Sequence, residues 1–191
     1  RNCTFIGTDI GLRFKSARDR GGKVENIYVD GIRMKDIATS AILFDMFYEG
    51  NADFDPAKAK IPYFRNFDIK NIVCDGAKSA LFVRGLAEAP IQGISLKNIS
   101  ITSDEAMKME DADGFTLNNV WLDFKTGPVL TVKDGKNIHL DQVGTSTRPE
   151  LFILATGSRT ENVQVLKSDV AKAKKAVELG PDVKPEAIVL K

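Results

Sequence analysis

One block recurs along the chain and constrains its fold more than any other feature. The segments VENIYVDGIRM (24–34), FRNFDIKNIVC (64–74), IQGISLKNISI (91–101), ADGFTLNNVWL (112–122), GKNIHLDQVGT (135–145) and ENVQVLKSDV (161–170) align on Gly31, Asn71, Asn98, Asn119, Gln142 and Lys167. RNCTF joins them as a further copy anchored on Asn2. Apolar residues stand two and four places before each of the six full anchors and one and three places after it. Phe67, Ile69, Ile72 and Cys74 show the rule, and only Thr145 and Ser168 break it. Period 2 is the signature of a strand with one buried side. The phase slips by one residue at the anchor, which would turn the second half of a straight strand inside out. A sharp bend in the left-handed backbone region restores the inward direction, and Asn and Gly are the residues that tolerate that region.

A further strand follows most copies: GLRFKS (11–16), AILFDM (41–46), ALFVRG (80–85), AMKMED (106–111), VLTVKD (129–134) and LFILAT (151–156). Each unit therefore carries about three short strands and bends at least twice. Such units stack into a parallel β-solenoid of about six to seven coils, with the anchor asparagines above one another as an amide ladder. The period excludes helical repeats, the fixed leucine spacing of leucine-rich repeats is absent, and the strands of a β-sandwich would not repeat the same anchor chemistry. The whole chain reads as one all-β segment with an irregular C-terminal cap over 168–191. In SDVAKAKKAVELGP (168–181), Ser168 or Asp169 is placed to cap a short helix closed by Gly180 and Pro181; a final irregular coil is the alternative.

Composition removes several classes of function. A net charge of +1 gives no field to recruit nucleic acid or an anionic membrane, and no apolar run is long enough to span a bilayer. Two cysteines make no disulfide framework; Cys3 and Cys74 read as inward-facing free thiols. No nucleotide loop, zinc pattern or Ser-His-Asp set is present, so no cofactor and no metal is expected. The chain begins at Arg1, directly in a strand-like segment, and reads as part of something longer.

The stretch GLRFKSARDRGG (11–22) is the candidate site. Leu12 and Phe14 take the inward positions, so Arg13 and Lys15 face out together, roughly 7 Å apart by strand geometry. Two cations that close need a counter-charge. Aligning AILFDM on GLRFKS puts Asp45 one coil from Lys15, an internal solution; an anionic ligand is the other. The run N-C-x-F-x-G-T-x-x-G before this strand, together with Arg13, Lys15, Gly21, Gly22, Val24, Asn26 and Ile27 after it, resembles the polygalacturonase-like glycoside hydrolases, family 28. The resemblance extends through AILFDMFYEG, ALFVRGLAEAPIQGISLKNISI and TGPVLTVKDGKNIHLD. It implies a right-handed parallel β-helix, inverting hydrolysis of α-1,4-galacturonosyl bonds in pectin, and an extracellular or periplasmic location. It implies substrate contacts at Arg13 and Lys15, which would bind the carboxylates of polygalacturonate, and at Tyr48, with Phe47 as a competing alignment.

The family's catalytic motifs, Asn-Thr-Asp, Asp-Asp and Gly-His-Gly, do not occur here, and His139 matches none of them. An inverting hydrolase needs an acid and a base carboxylate roughly 6.5–9.5 Å apart. No catalytic residue is therefore assigned within the chain, which is expected to be the C-terminal part of a longer catalytic domain and inactive alone. A non-catalytic β-helical carbohydrate-binding or structural segment, adhesin or tailspike-like, is the rival reading. Arg18 and Arg20 read as solvated loop charges, with an extension of the positive rim as the alternative; Arg84 reads as a neighbour of Asp45 and Lys15; and Trp121 faces outward, in simple surface packing rather than as a sugar platform.

Overall fold

In the computed structural model, which describes residues 1–47 and 60–191, all seven anchors lie in the left-handed region, with φ between 45° at Lys167 and 72° at Gly31. The ladder forms as well: the Nδ2 of Asn119 donates to Asn98 Oδ1 at 3.0 Å, Asn98 to Asn71 at 3.1 Å, and Asn71 to Asp30 at 2.7 Å. A second left-handed column runs five residues earlier in each coil, through Asn26, Asn66, Gly93, Gly114, Asn137 and Asn162. It is written in the same repeats, as a second Asn or Gly position in each copy. The two columns bracket a four-residue strand, and each bend resets the inward phase.

Eleven strands stand among the described residues: β1 (Cys3–Ile6), β2 (Leu12–Lys15), β3 (Lys23–Asp45), β4 (Tyr63–Arg84), β5 (Ile91–Glu110), β6 (Ala112–Lys133), β7 (Lys136–Thr145), β8 (Leu151–Thr156), β9 (Glu161–Leu166), β10 (Lys175–Leu179) and β11 (Ile188–Leu190). They pair only in parallel. β1 and β2 lie on β3, then β4, β5 and β6 follow in turn; β6 carries both β7 and β8, and these continue to β9, β10 and β11. The result is a β-solenoid of about seven turns. Register stacks like on like: Ile27, Phe67, Ile94, Phe115, Ile138 and Val163 form one inward column, and Val29, Ile69, Leu96, Leu117, Leu140 and Val165 another. From Phe67 onward these columns are buried. At about 25 cal/mol per Å² of apolar surface, such continuous burial is the main stabilising term of the fold.

Of the two alternatives for 168–181, the chain takes the coil. There is a single 3₁₀ turn, Val170–Lys172, followed by β10 on the edge of β8. The would-be helix caps are engaged elsewhere: Ser168 Oγ accepts from the Val143 amide at 3.0 Å, and Asp169 Oδ2 from the Thr145 amide at 3.1 Å. An open strand edge offers Val177 and Leu179 a ready ladder, and it outcompetes the helical spacing of AKAKKAVEL. One thiol also differs from expectation. Cys74 is buried, but Cys3 is exposed, because β1 is paired on one side only and its Cys3 row carries no covering coil. Both cysteines are free.

Candidate functional site

β2 is a short strand, and its placement is tight. Phe14 stacks on Phe44 with ring centroids 4.8 Å apart and meets Phe67 edge-on at 5.0 Å. Gly11 precedes it where a Cβ would run into the Ala41 carbonyl and the Met34 sulfur, so only glycine allows this approach. With Leu12 and Phe14 turned toward the core, Arg13 and Lys15 are both exposed on the outer face, as the alternation requires.

The two cations head different columns. Lys15, Asp45, Arg84, Glu110 and Lys133 are in register across five coils and alternate in sign. Arg84 grips Asp45 with both ends of its fork, at 2.9 and 2.8 Å, and Lys133 pairs with Glu110 at 2.6 Å. The Lys15–Asp45 register expected from the sequence is present, and the Asp45 carboxylate is held by Arg84. Arg13 heads the column Arg13, Leu43, Phe82, Lys108 and Thr131. Its cross-strand neighbour is apolar, and among the described residues no carboxylate pairs with it.

Aromatic rings stand between these charges. The Arg84 guanidinium lies 4.7 Å from the Phe47 ring and 5.8 Å from Phe82, and the Lys108 ammonium lies 5.9 Å from Phe82. Arg18, a solvated loop charge by expectation, is exposed but paired. It is forked onto Glu88 at 2.6 and 3.1 Å and lies 5.7 Å from Phe47, so it ties the turn after β2 to the turn after β4. The Arg18 hydrogen bond holds the Glu88 carboxyl below its ordinary pKa and raises that of Arg18. A groove of about 660 Å³ opens on this side, with Asp9, Thr39, Lys78, Phe82, Lys108 and Pro128 in its walls. Phe82 and Lys108 were missed in the sequence; their outward alternate positions were the available signal.

Tyr48 lies outside the described residues. His139 sits half-buried on β7 between the bends at Asn137 and Gln142, on a different strand of the coil from the β2 column. Among the described residues no group of three His, Cys, Asp or Glu is placed to hold a metal ion, and no helix is long and apolar enough to cross a membrane. β2 presents two neighbouring cations, whose chemistry suits carboxylates; the groove opens farther along the stack, on the rows that continue from them, and neither Arg13 nor Lys15 lines it.

Comparison with known proteins adds ancestry. The family described as glycosyl hydrolases family 28 matches residues 1–118. A probable polygalacturonase of Vitis vinifera is 32% identical over 98 residues, covering 50% of this chain and 19% of the relative. An exo-poly-alpha-D-galacturonosidase of Dickeya chrysanthemi is 28% identical over 156 residues, covering 72% of this chain and 25% of the relative. The chain thus spans a quarter or less of the length of these relatives. No solved structure matches it significantly.

Proposed function

The chain belongs to the glycosyl hydrolases of family 28, and on that premise we propose that it forms the C-terminal part of the catalytic domain of a pectin-degrading hydrolase and supplies one wall of its substrate cleft. In this reading Arg13 and Lys15 hold the carboxylates of polygalacturonate, with Tyr48 as a third substrate contact. The chemistry is inverting hydrolysis of α-1,4-galacturonosyl bonds, by acid and base carboxylates supplied from outside this chain. The enzyme acts outside the cytoplasm, where pectin is found.

The observation that carries this reading is the outward projection of Arg13 and Lys15 from one short strand, with Arg13 beside Leu43 rather than a carboxylate. Among the described residues no carboxylate pairs with Arg13, which leaves its charge to a ligand in this reading. The fork geometry of arginine matches a carboxylate, and a lysine two residues on supplies a point charge for the same or the next one.

Isothermal calorimetry of the chain with trigalacturonate tests it. A charge-assisted hydrogen bond contributes about 1.5–3 kcal/mol, so Arg13→Ala is expected to weaken binding by roughly ten- to a hundredfold. Rising salt is expected to weaken the parent in the same direction. The chain alone is expected to release no reducing sugar from polygalacturonate. A double Arg13→Ala, Lys15→Ala variant that binds as tightly as the parent refutes the assignment.

A further inference from the structure

A second groove lies on another side of the coil. Its floor is the outward row Arg33, Val73, Ser100 and Trp121, which are in register on β3, β4, β5 and β6. One flank is the amide ladder of Asn71, Asn98 and Asn119, and the groove measures about 610 Å³. It shares no lining residue with the groove beside β2. The left-handed bend at Asp36 separates the Arg33 strand from the Leu43 strand within the same coil.

Trp121 closes the groove at one end, and its pose is fixed from behind. In the next coil its register partner is Gly144, where a Cβ would come within 2.7 Å of the indole ring. The glycine therefore lets the ring lie down against the backbone. The Lys172 ammonium sits 5.1 Å from the ring and is itself held by Asp169 at 2.7 Å and by the Thr145 carbonyl at 2.6 Å. The indole is thus supported toward the C-terminal coil, while it remains 46% exposed and lines the groove on the other side with Val73, itself 48% exposed. Three coils from Trp121, and one coil short of Thr4 on β1 where the groove ends, Arg33 is exposed, and among the described residues no carboxylate pairs with it.

We propose that this groove is a second carbohydrate-binding site, separate from the β2 face, that takes a short acidic oligosaccharide laid across the coils. One pyranose stacks on Trp121, and a uronate carboxylate meets Arg33. Coils are spaced by about 4.8 Å, so Arg33 and Trp121 stand about 14 Å apart along the stack, the length of a short oligosaccharide rather than of one sugar. The partly positive C–H groups of a pyranose face suit the negative face of an aromatic ring, and a pre-oriented ring loses little freedom on binding. The ladder amides offer further donors and acceptors to hydroxyls along the flank. The choice of galacturonate as the sugar rests on the function proposed above.

Trp121 is the sole tryptophan of the sequence, so its fluorescence reports on this groove directly. Tetragalacturonate is titrated into the chain, its Arg33→Ala variant and its Arg13→Ala, Lys15→Ala double variant; calorimetry is run in parallel and extended to Trp121→Ala. The expected result is a saturable emission change in the parent that persists in the double variant and is weakened about tenfold in Arg33→Ala. Calorimetry is expected to lose one site in Trp121→Ala. The proposal is overturned by an emission unchanged at millimolar ligand, by a response that disappears with Arg13 and Lys15, or by one indifferent to Arg33. An equal response to cellotetraose overturns the acidic class. The calorimetric effect of the double variant reads the β2 face by itself, so failure there and failure here are distinguishable.

Discussion

Asn98 sits in the middle of the amide ladder and tests what the anchor position demands. Its side chain donates to Asn71 at 3.1 Å and accepts from Asn119 at 3.0 Å, and its φ is 55°. Two contributions can be separated. The two hydrogen bonds are solvent-exposed, so each belongs at the lower end of the usual range, about 0.5 kcal/mol, or about 1 kcal/mol together. The backbone contributes separately, since a left-handed conformation costs an ordinary residue with a Cβ roughly 1–2 kcal/mol. Asn98→Ala loses both and is expected to destabilise the chain by about 2–3 kcal/mol. Asn98→Gly loses the bonds but not the conformation, and the greater freedom of glycine in the unfolded chain adds about 0.4–1 kcal/mol. Its expected cost is about 1.5–2 kcal/mol, below that of alanine. Urea unfolding followed by far-UV circular dichroism measures both, provided the slope m is unchanged. If alanine proves no worse than glycine, the left-handed bend does not select the residue at the anchor.

Three further outcomes follow from particular contacts. Gly11→Ala drives a methyl group into the Ala41 carbonyl and the Met34 sulfur; overpacking of this kind costs about 1–3 kcal/mol and shifts β2, so both the unfolding midpoint and trigalacturonate affinity are expected to fall together. Iodoacetamide is expected to label the native chain once, at exposed Cys3. Cys74 is buried, with its thiol pushed up to about 11 by burial and the nearby Asp75, and it is expected to react only after unfolding; two adducts on the native chain in mass spectrometry contradict this. The Glu88 carboxyl has a folded pKa lowered by Arg18, so its contribution is present above the unfolded value of about 4.3 and is lost as pH falls through the lower folded value. Glu88→Gln is therefore expected to be less stable than the parent at neutral pH, by under about 1 kcal/mol for so exposed a pair, with the gap closing in acid and in high salt. A gap that widens in acid runs against the sign.

The inward half of this protein was legible because it is periodic. Each coil repeats the same apolar positions, so aligning one segment on another is equivalent to stating which residues touch across the stack. That is why the Lys15–Asp45 register followed from laying AILFDM on GLRFKS, and why all seven anchors turned out to be bends. Legibility ends where coils differ in length. The register shifts between Ile37 and Ser40, Asp75 and Ser79, and Glu105 and Met107 have no counterpart in the repeat. The Arg18–Glu88 bridge joins two turn tips 70 residues apart, and no period connects them. The choice between helix and coil in the C-terminal segment stayed open for a related reason: Ser168 and Asp169 are good helix caps in isolation, and their use by the Val143 and Thr145 amides depends on a neighbouring coil that local spacing does not show.

The outward columns also separate two residues that the sequence left equivalent. Lys15 stands at the head of a column whose next member is a carboxylate, and from there the signs alternate to Lys133. Its field at a ligand is reduced by Asp45 one coil away, even though that carboxylate is gripped by Arg84. Arg13 stands at the head of a column that continues through Leu43 and Phe82, which compensate nothing and which lower the local dielectric around whatever the guanidinium holds. Two cations on one strand face thus have unequal tasks. Lys15 stands one coil from the Asp45 carboxylate, while Arg13 stands one coil from Leu43 with its side chain exposed. If a uronate binds here, removal of Arg13 must weaken it more than removal of Lys15, and Lys15→Ala must show the larger loss in thermal stability. Parallel thermal unfolding and calorimetry on the two single variants read this crossed pattern, and equal losses in both measurements would remove the distinction between the columns.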